Sequence, residues 1–306
     1  MKAIVLREYG NRNGVVYEDL QKPVCPADGI LIRVRTSGVN PIDWKIRDGL
    51  GKMFGLELPI ILGSEIAGTI EDVGSDVRKF KVGQDVLGYL GVYGGHAQYV
   101  IAKEDQIVEK PRTLDFESAA AIPLAGLVST QAMFEAAGLK KGERILIHAA
   151  AGGVGSFAVQ LAKLQGAYVI ATASGKNEAF VRGLGAAEFI DYTKQDFASA
   201  VKDVDVVFDT IGGQTQESSF RVLRRGGRLI SIVNPPPLSV AESFGVKAEM
   251  IAVRPDSSQL LEIVRSVSAG KVKVNVAKVL PFADVQKALE LSESGHTRGK
   301  IILHVA

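Results

Sequence analysis

The fold of this chain is decided by Arg144–Lys163, which reads RILIHAAAGGVGSFAVQLAK. An apolar run from Ile145 to Ile147 leads into small residues, and apolar residues then recur at helical spacing. A tight strand-to-helix turn without side chains lets a pyrophosphate lie against backbone N–H groups at the positive end of a helix. Glycine, and sometimes alanine, allows this close approach. The stretch therefore predicts a dinucleotide-binding turn, with cofactor contacts from Ala151, Gly152, Gly153, Val154 and Gly155.

The segments that follow this turn extend the same pattern. Taken by itself the turn is weak evidence, because an ordinary helix start can use glycines for close packing, and Ala150 replaces the first glycine of G-x-G-x-x-G. Further strand-like apolar runs occupy 167–173, 204–213 and 226–233, at similar intervals. Strands that alternate with helical stretches indicate a parallel, doubly wound sheet. We predict an α/β fold with a Rossmann dinucleotide-binding domain over 121–255.

The first 120 residues have a different character. Short β-rich runs are separated by Gly, Asp and Pro turns, and they occupy 4–6, 30–34, 66–73, 85–89 and 96–102. That spacing predicts a partly closed antiparallel barrel. Beyond residue 255 the pattern gives two helices and two strands, which we expect to rejoin the first domain. The prediction is a mainly β substrate domain formed by 1–120 and 256–306.

Composition excludes several classes of function. The 306 residues are 46% hydrophobic and 23% charged, as in a globular protein, and the net charge of +2 provides no field that attracts nucleic acid or an acidic membrane. The single cysteine, Cys25, rules out an internal disulfide and fits a reducing compartment. The chain opens on a strand-like run and contains no apolar stretch of bilayer length. We therefore expect a cytoplasmic protein without nucleic-acid or membrane partners.

Seven motifs carry a resemblance to a known family. They are SGVNPIDWKIRDG (37–49), LGSEIAG (62–68), FKVGQDVLG (80–88), GGHAQYV (94–100), the turn at 149–155, LGAAEFIDY (184–192) and GKIIL (299–303). In this order the chain resembles the medium-chain dehydrogenase/reductase superfamily, specifically its zinc-free quinone oxidoreductase and enone (alkenal) reductase branch. The resemblance spans nearly the whole chain and implies a GroES-like fold for the substrate domain.

The positions that bind metal in that superfamily have changed here. Its zinc alcohol dehydrogenases use a thiolate and an imidazole as catalytic ligands. Asn40 stands at the cysteine position and Ser64 at the histidine position. One cysteine also cannot form a four-cysteine structural zinc lobe. We expect no metal site.

The end of the second Rossmann strand predicts NADPH as the cofactor. An NAD enzyme places Asp or Glu there to hold the ribose 2′-hydroxyl, and such a carboxylate repels the 2′-phosphate of NADP. Here Ser174 offers a hydrogen-bond donor and Lys176 a cation. The resemblance implies that Tyr192 also contacts this phosphate. It further implies that the backbones of 209–212 and 231–234 pass beside the ribose and nicotinamide, with contacts from Ile232, Val233 and Asn234.

The implied chemistry is a direct hydride transfer to an electron-poor carbon of a small-molecule substrate. Without a metal, the protein must orient the substrate and stabilise the developing oxyanion. The candidate donors are the Asn40 amide and the Lys45 ammonium, and either water or Lys45 returns the proton. Trp44 is either a wall for the substrate or a packed core residue. The resemblance at Lys45 favours enones and enals, while quinones fit the same scheme.

Two other functions remain open at this point. The chain could be a non-catalytic, crystallin-like NADPH-binding protein, or an enoyl thioester reductase. The second would need a basic groove for the phosphates of a carrier, and no such cluster lies near Asn40 in the sequence. The resemblance also implies a homodimer formed through the last strand of the Rossmann sheet, at 247–253, because an apolar sheet edge needs covering.

Overall fold

The strands account for most of the architecture in residues 1–305, which are the residues that the computed structural model describes. Sixteen strands form within these residues: β1 (Lys2–Leu6), β2 (Val15–Asp19), β3 (Ile30–Val39), β4 (Ile60–Ile61), β5 (Glu65–Val73), β6 (Asp85–Tyr89), β7 (Tyr99–Ala102), β8 (Ile107–Glu109), β9 (Arg144–Ile147), β10 (Tyr168–Ala173), β11 (Glu188–Asp191), β12 (Val204–Asp209), β13 (Leu223–Ser231), β14 (Lys247–Met250), β15 (Val276–Pro281) and β16 (Lys300–His304).

Eleven α-helices lie between these strands in the same residues. They are α1 (Pro41–Lys45), α2 (Gly51–Met53), α3 (Phe116–Ala120), α4 (Pro123–Thr130), α5 (Gly153–Leu164), α6 (Glu178–Leu184), α7 (Phe197–Ala200), α8 (Gly213–Ser219), α9 (Leu238–Phe244), α10 (Ser257–Ser268) and α11 (Val285–Glu293). No helix formed by residues 1–305 combines the length and the apolar character that a bilayer span requires.

The chain divides into two units. The first comprises Met1–Leu124, Pro255–Ser268 and the residues from Val274 onward, and the second comprises Ala125–Arg254 and Ala269–Lys273.

The second unit is built on a six-stranded sheet. Its strand order is β11-β10-β9-β12-β13-β14, and every neighbouring pair is parallel. Counted from the first strand of the unit, this is the order 3-2-1-4-5-6 of a doubly wound dinucleotide-binding fold. The predicted α/β class with a parallel Rossmann sheet is confirmed. In such a sheet the ligand binds at the carboxyl ends of the strands, where the order reverses between β9 and β12.

The apolar runs of the sequence form the core of this sheet. Leu146, Ile170 and Val207 are fully buried in three adjacent strands, and Phe220 and Leu229 extend the same cluster. Strands covered on both faces carry nearly continuous apolar runs. This explains why strand-like runs rather than alternating patterns marked the second unit.

The first unit contains two sheets. The larger has the order β15-β16-β3-β5-β6-β8, with β7 also paired to β3, and all of its pairs except β15–β16 are antiparallel. The smaller sheet has the order β2-β1-β4. The C-terminal strand β16 pairs with β3, with Ile301 opposite Val39. The pairing brings Lys300, at the start of β16, into the same unit as the motif that begins at Ser37.

Candidate cofactor and substrate sites

The glycine-rich turn ends at the N-terminus of α5. Gly152 is the N-cap residue, and the first helical hydrogen bond runs from the Ser156 N–H to the Gly152 carbonyl at 3.0 Å. The N–H groups of the first helical residues, Gly153 to Gly155, therefore have no partner inside the helix. Unpaired N–H groups at a positive helix end form an anion site, and a pyrophosphate fits it.

The backbone of this turn leaves no room for a side chain at Gly155 and little at Gly152. Ala149 has a φ of +47°, a left-handed conformation that only few non-glycine residues adopt. A Cβ on Gly155 would lie 2.3 Å from the Ala149 carbonyl oxygen, and one on Gly152 would lie 3.3 Å from the same oxygen. The glycine at 155 is required by the fold, since α5 starts directly against the turn.

Ser174 and Lys176 lie in the loop that follows β10. The Asn177 side-chain amide donates to the Ser174 Oγ at 3.0 Å, which leaves the serine hydroxyl hydrogen to donate elsewhere. Lys176 is exposed beside it. Tyr192 follows β11, the neighbour of β10, and is 54% exposed. The structure thus places the three predicted phosphate contacts at the ends of two adjacent strands.

One acidic residue near this loop was missed by the sequence reasoning. Asp191 pairs in register with Ala173, and a Cβ on Gly175 would lie 2.3 Å from the Asp191 Oδ2. The Thr193 hydroxyl donates to Asp191 at 2.7 Å and lowers the pKa of that carboxyl, with a further contribution from backbone N–H groups. Asp191 is therefore ionised and tied to its own loop. Its motif, LGAAEFIDY, is visible in the sequence, but only the order of the strands places it beside Ser174.

The segments predicted to pass the nicotinamide follow β12 and β13, which are adjacent. Ser231 is buried, Ile232 and Val233 are half-buried, and Asn234 is exposed. The N–H of Ile232 donates to the Asp209 carbonyl at 3.1 Å, which joins the ends of the two strands. The structure brings 209–212 and 231–234 together at the carboxyl edge of the sheet.

Asn40 lies in the first unit, within a buried polar network. Its amide nitrogen donates to Glu65 Oε1 at 2.8 Å and to Ser64 Oγ at 3.2 Å, and its amide oxygen accepts from the Lys300 ammonium. Only 2% of Asn40 is exposed. Both amide hydrogens are used within the chain, so these hydrogen bonds favour a structural role. The oxyanion contact predicted for Asn40 stays a prediction.

Lys300 was not singled out by the sequence reasoning and forms the centre of this network. Its ammonium donates to Glu65 Oε1 at 2.5 Å, and the two side chains are 4% and 0% exposed. A buried ion pair of this kind persists only where further hydrogen bonds satisfy it. Glu65 meets that condition, because its second oxygen accepts from the Leu124 N–H at 2.7 Å.

The donor set around Lys300 does not fit a zinc ion. The residues predicted at the ligand positions, Asn40 and Ser64, offer an amide and a hydroxyl, and the Lys300 ammonium contacts the oxygens of Asn40 and Glu65 that a metal would need. Zinc prefers thiolate and imidazole ligands. Among residues 1–305 no three His, Cys, Asp or Glu side chains are grouped as metal ligands.

Lys45 is the last residue of α1, five positions after Asn40. Its side chain is half-buried, and its ammonium lies 5.6 Å from the centre of the Trp44 ring. Burial lowers the pKa of Lys45, because removing water disfavours the charged form. No carboxylate of residues 1–305 forms an ion pair with it. The indole N–H of Trp44 is buried and has no hydrogen-bond partner in the same residues.

Comparison with known proteins gives the same family for both halves of the chain. Residues 26–112 match the alcohol dehydrogenase GroES-like domain, and residues 184–303 match the zinc-binding dehydrogenase domain. The quinone oxidoreductase of Pseudomonas aeruginosa is 33% identical, with 99% of each chain covered. The chloroplastic NADPH-dependent alkenal/one oxidoreductase of Arabidopsis thaliana is also 33% identical, over 99% of this chain and 79% of the relative. The Escherichia coli quinone oxidoreductase, solved with NADPH, superposes with a TM-score of 0.91 at 29% identity, and each chain is covered completely.

The Rossmann sheet and the GroES-like unit define a nicotinamide-dependent dehydrogenase or reductase. The chain belongs to the medium-chain dehydrogenase/reductase family, in its branch of quinone and alkenal/one oxidoreductases. It is an oxidoreductase, and the family resemblance predicted from its motifs is confirmed.

Proposed function

We propose that this protein is an NADPH-dependent reductase that acts on the carbon–carbon double bond of enones and enals, or on quinones, without a metal ion. The observation that carries the proposal is the ammonium of Lys300 among the residues that stand at the zinc-ligand positions. Reduction of an isolated ketone concentrates charge on one alkoxide oxygen, which a Lewis acid would have to stabilise. An enolate or a hydroquinone anion spreads its charge, so one or two hydrogen-bond donors suffice.

NADPH supplies the hydride when it is bound. The N–H groups of Gly153, Val154 and Gly155 suit its pyrophosphate, and Ser174 with Lys176 suits the 2′-phosphate. Together with Ala151, Gly152, Tyr192, Ile232, Val233 and Asn234, these residues remain our proposal for the cofactor site.

We assign the oxyanion donor to Lys45. Its half-buried ammonium has no carboxylate partner in the described chain, and its lowered pKa makes proton donation easier than from an ordinary lysine. Asn40 is the less suitable donor, since Glu65 and Ser64 accept its amide hydrogens. We propose that Asn40 instead holds the start of α1, whose last residue is Lys45.

Product analysis tests the reaction. With NADPH and a cyclic enone, we expect the saturated ketone to accumulate with its carbonyl intact, and the matching saturated ketone offered as substrate to remain unreduced. Recovery of the allylic alcohol would contradict the mechanism. Binding of NADPH without turnover of any enone, enal or quinone would favour the non-catalytic alternative.

Metal independence follows from the donor set around Lys300. Metal analysis of the purified protein is expected to give no stoichiometric zinc, and a chelator should leave both turnover and the unfolding temperature unchanged. One tightly held equivalent of zinc per chain would show that this part of the proposal is wrong.

The edge strand of the Rossmann sheet supports a homodimer. Strand β14 pairs only with β13 within the described chain, and Met250 at its end is 44% exposed. An unpaired edge offers its N–H and C=O groups to a second copy. We expect light scattering at micromolar concentration to give twice the chain mass of 32.6 kDa. A monomer under these conditions would show that the proposed dimer is wrong.

The cytoplasmic location stays a prediction.

A further inference from the structure

Asp209 is a buried carboxylate for which the proposed chemistry has no use. It is the last residue of β12 and is fully buried. Its Oδ1 accepts from the N–H groups of Ile211 at 3.0 Å and Gly212 at 2.9 Å. Its Oδ2 accepts from the Ser231 hydroxyl at 2.9 Å and the Gln216 amide at 3.0 Å. The four donors belong to the loop after β12, the end of β13 and helix α8.

Two of these donors, Ser231 and Gln216, also form hydrogen bonds with the loop that follows β13. The Ser231 oxygen accepts from the N–H groups of Val233 at 3.2 Å and Asn234 at 3.4 Å. The Gln216 amide also donates to the Asn234 carbonyl at 2.9 Å. One carboxylate therefore fixes 209–212 directly and 231–234 through two intermediates.

The two loops also touch each other. Gly212 has a φ of +79°, and a Cβ at this position would lie 2.4 Å from the Asn234 side-chain oxygen. A displacement of either loop would therefore disturb the other. Buried hydrogen-bonded networks of this kind have few alternative arrangements, because each unsatisfied group is costly.

We propose that Asp209 is a positioning residue that holds these two backbone segments in the geometry that receives the nicotinamide riboside half of the cofactor. The inference rests on the proposed NADPH function. The 2′-phosphate end is assigned to the loop after β10, on the other side of β9 from β12. Asp209 should therefore affect binding of the nicotinamide riboside half of the cofactor and leave binding of the 2′-phosphate end unchanged.

The test compares two ligands on the Asp209→Asn variant. The asparagine oxygen can still accept from Ile211 and Gly212, but its NH₂ group would face the donors of Ser231 and Gln216. We expect the Kd of NADPH to rise about tenfold, while the Kd of 2′-phospho-ADP-ribose, which lacks the nicotinamide, stays within about twofold of wild type. Titration calorimetry measures both without any turnover.

The matched control is Asp205→Asn, on the same strand but at its other end. Asp205 accepts from the Arg144 N–H and from the Arg224 side chain, far along β12 from the two loops. Both ligands should bind this variant as they bind wild type.

Equal weakening of the two ligands by Asp209→Asn, or unchanged binding of NADPH, would overturn the inference. If thermal unfolding shows that Asp209→Asn does not fold, Ser231→Ala takes its place. We then expect the Kd of NADPH to rise about threefold while the Kd of 2′-phospho-ADP-ribose stays unchanged. An equal rise in both Kd values for Ser231→Ala would also overturn the inference. A wild-type protein that binds neither ligand would contradict the proposed cofactor, and the inference with it.

Discussion

Replacement of Lys45 by methionine is expected to lower kcat about 10²- to 10⁴-fold, the usual contribution of a positioned proton donor. KM should change much less, because the oxyanion exists chiefly in the transition state. Methionine is an unbranched side chain that suits a half-buried position, so the fold should be retained. Steady-state kinetics with NADPH and a cyclic enone measures the effect.

The pH dependence of kcat is a second, independent test of the role of Lys45. The donor that we propose is the charged form of Lys45, and burial lowers its pKa from the usual 10.5. As pH rises through this lowered pKa the ammonium is lost, so kcat should fall at a pH below 10.5. Arginine stays charged across this range, so Lys45→Arg should remove the alkaline fall even if its kcat is reduced.

Lys81→Met is the matched control, since Lys81 is an exposed lysine of the same unit. Its kcat and pH profile should equal those of wild type. If Lys45→Met kept wild-type kcat, the donor role of Lys45 would be wrong, and water would be the remaining proton source.

The second large effect concerns the choice between NADPH and NADH. Lys176→Ala should remove the charge-assisted contact that we propose to the 2′-phosphate. Such a contact is worth on the order of 1.5–3 kcal/mol, which corresponds to about a 10- to 150-fold rise in the Kd of NADPH. NADH lacks the phosphate, so its Kd should be nearly unchanged. Fluorescence titration of the two cofactors measures the difference.

Two further variants sharpen this prediction. Ser174→Asp places a carboxylate where NAD enzymes carry one. It should weaken the binding of NADPH, and the binding of NADH should stay the same or become tighter. Lys202→Ala removes an exposed lysine elsewhere in the second unit and should change the Kd of neither NADPH nor NADH. If Lys176→Ala weakened NADPH and NADH equally, Lys176 would not contact the 2′-phosphate.

Much of the second unit could be predicted from the sequence because its signals are local. The run from Ile145 to Ile147 and the glycines at 152–155 are adjacent in the chain, and the sterics of a tight turn against α5 act over a few residues. Alternation of strands with helices then predicts a parallel sheet, since a parallel connection needs a crossover. The fold class and the family follow from such local patterns.

The arrangement of polar groups over long sequence distances could not be predicted in this way. Lys300 and Asn40 are 260 positions apart and meet only because β16 pairs with β3. Asp191 lies beside Ser174 only because β11 is the neighbour of β10. A hydrogen bond depends on position to within a few tenths of an ångström, and sequence periodicity carries no information at that scale.

The sequence by itself therefore determined the Rossmann sheet and the family, because both depend on which residues are neighbours along the chain. Only the tertiary structure decided that Asn40 is held inside a network with Glu65 and Lys300, and that Asp209 joins the two loops after β12 and β13. Those contacts join strands that are remote in sequence, and the cost of leaving a buried charge unpaired determines which of them must form.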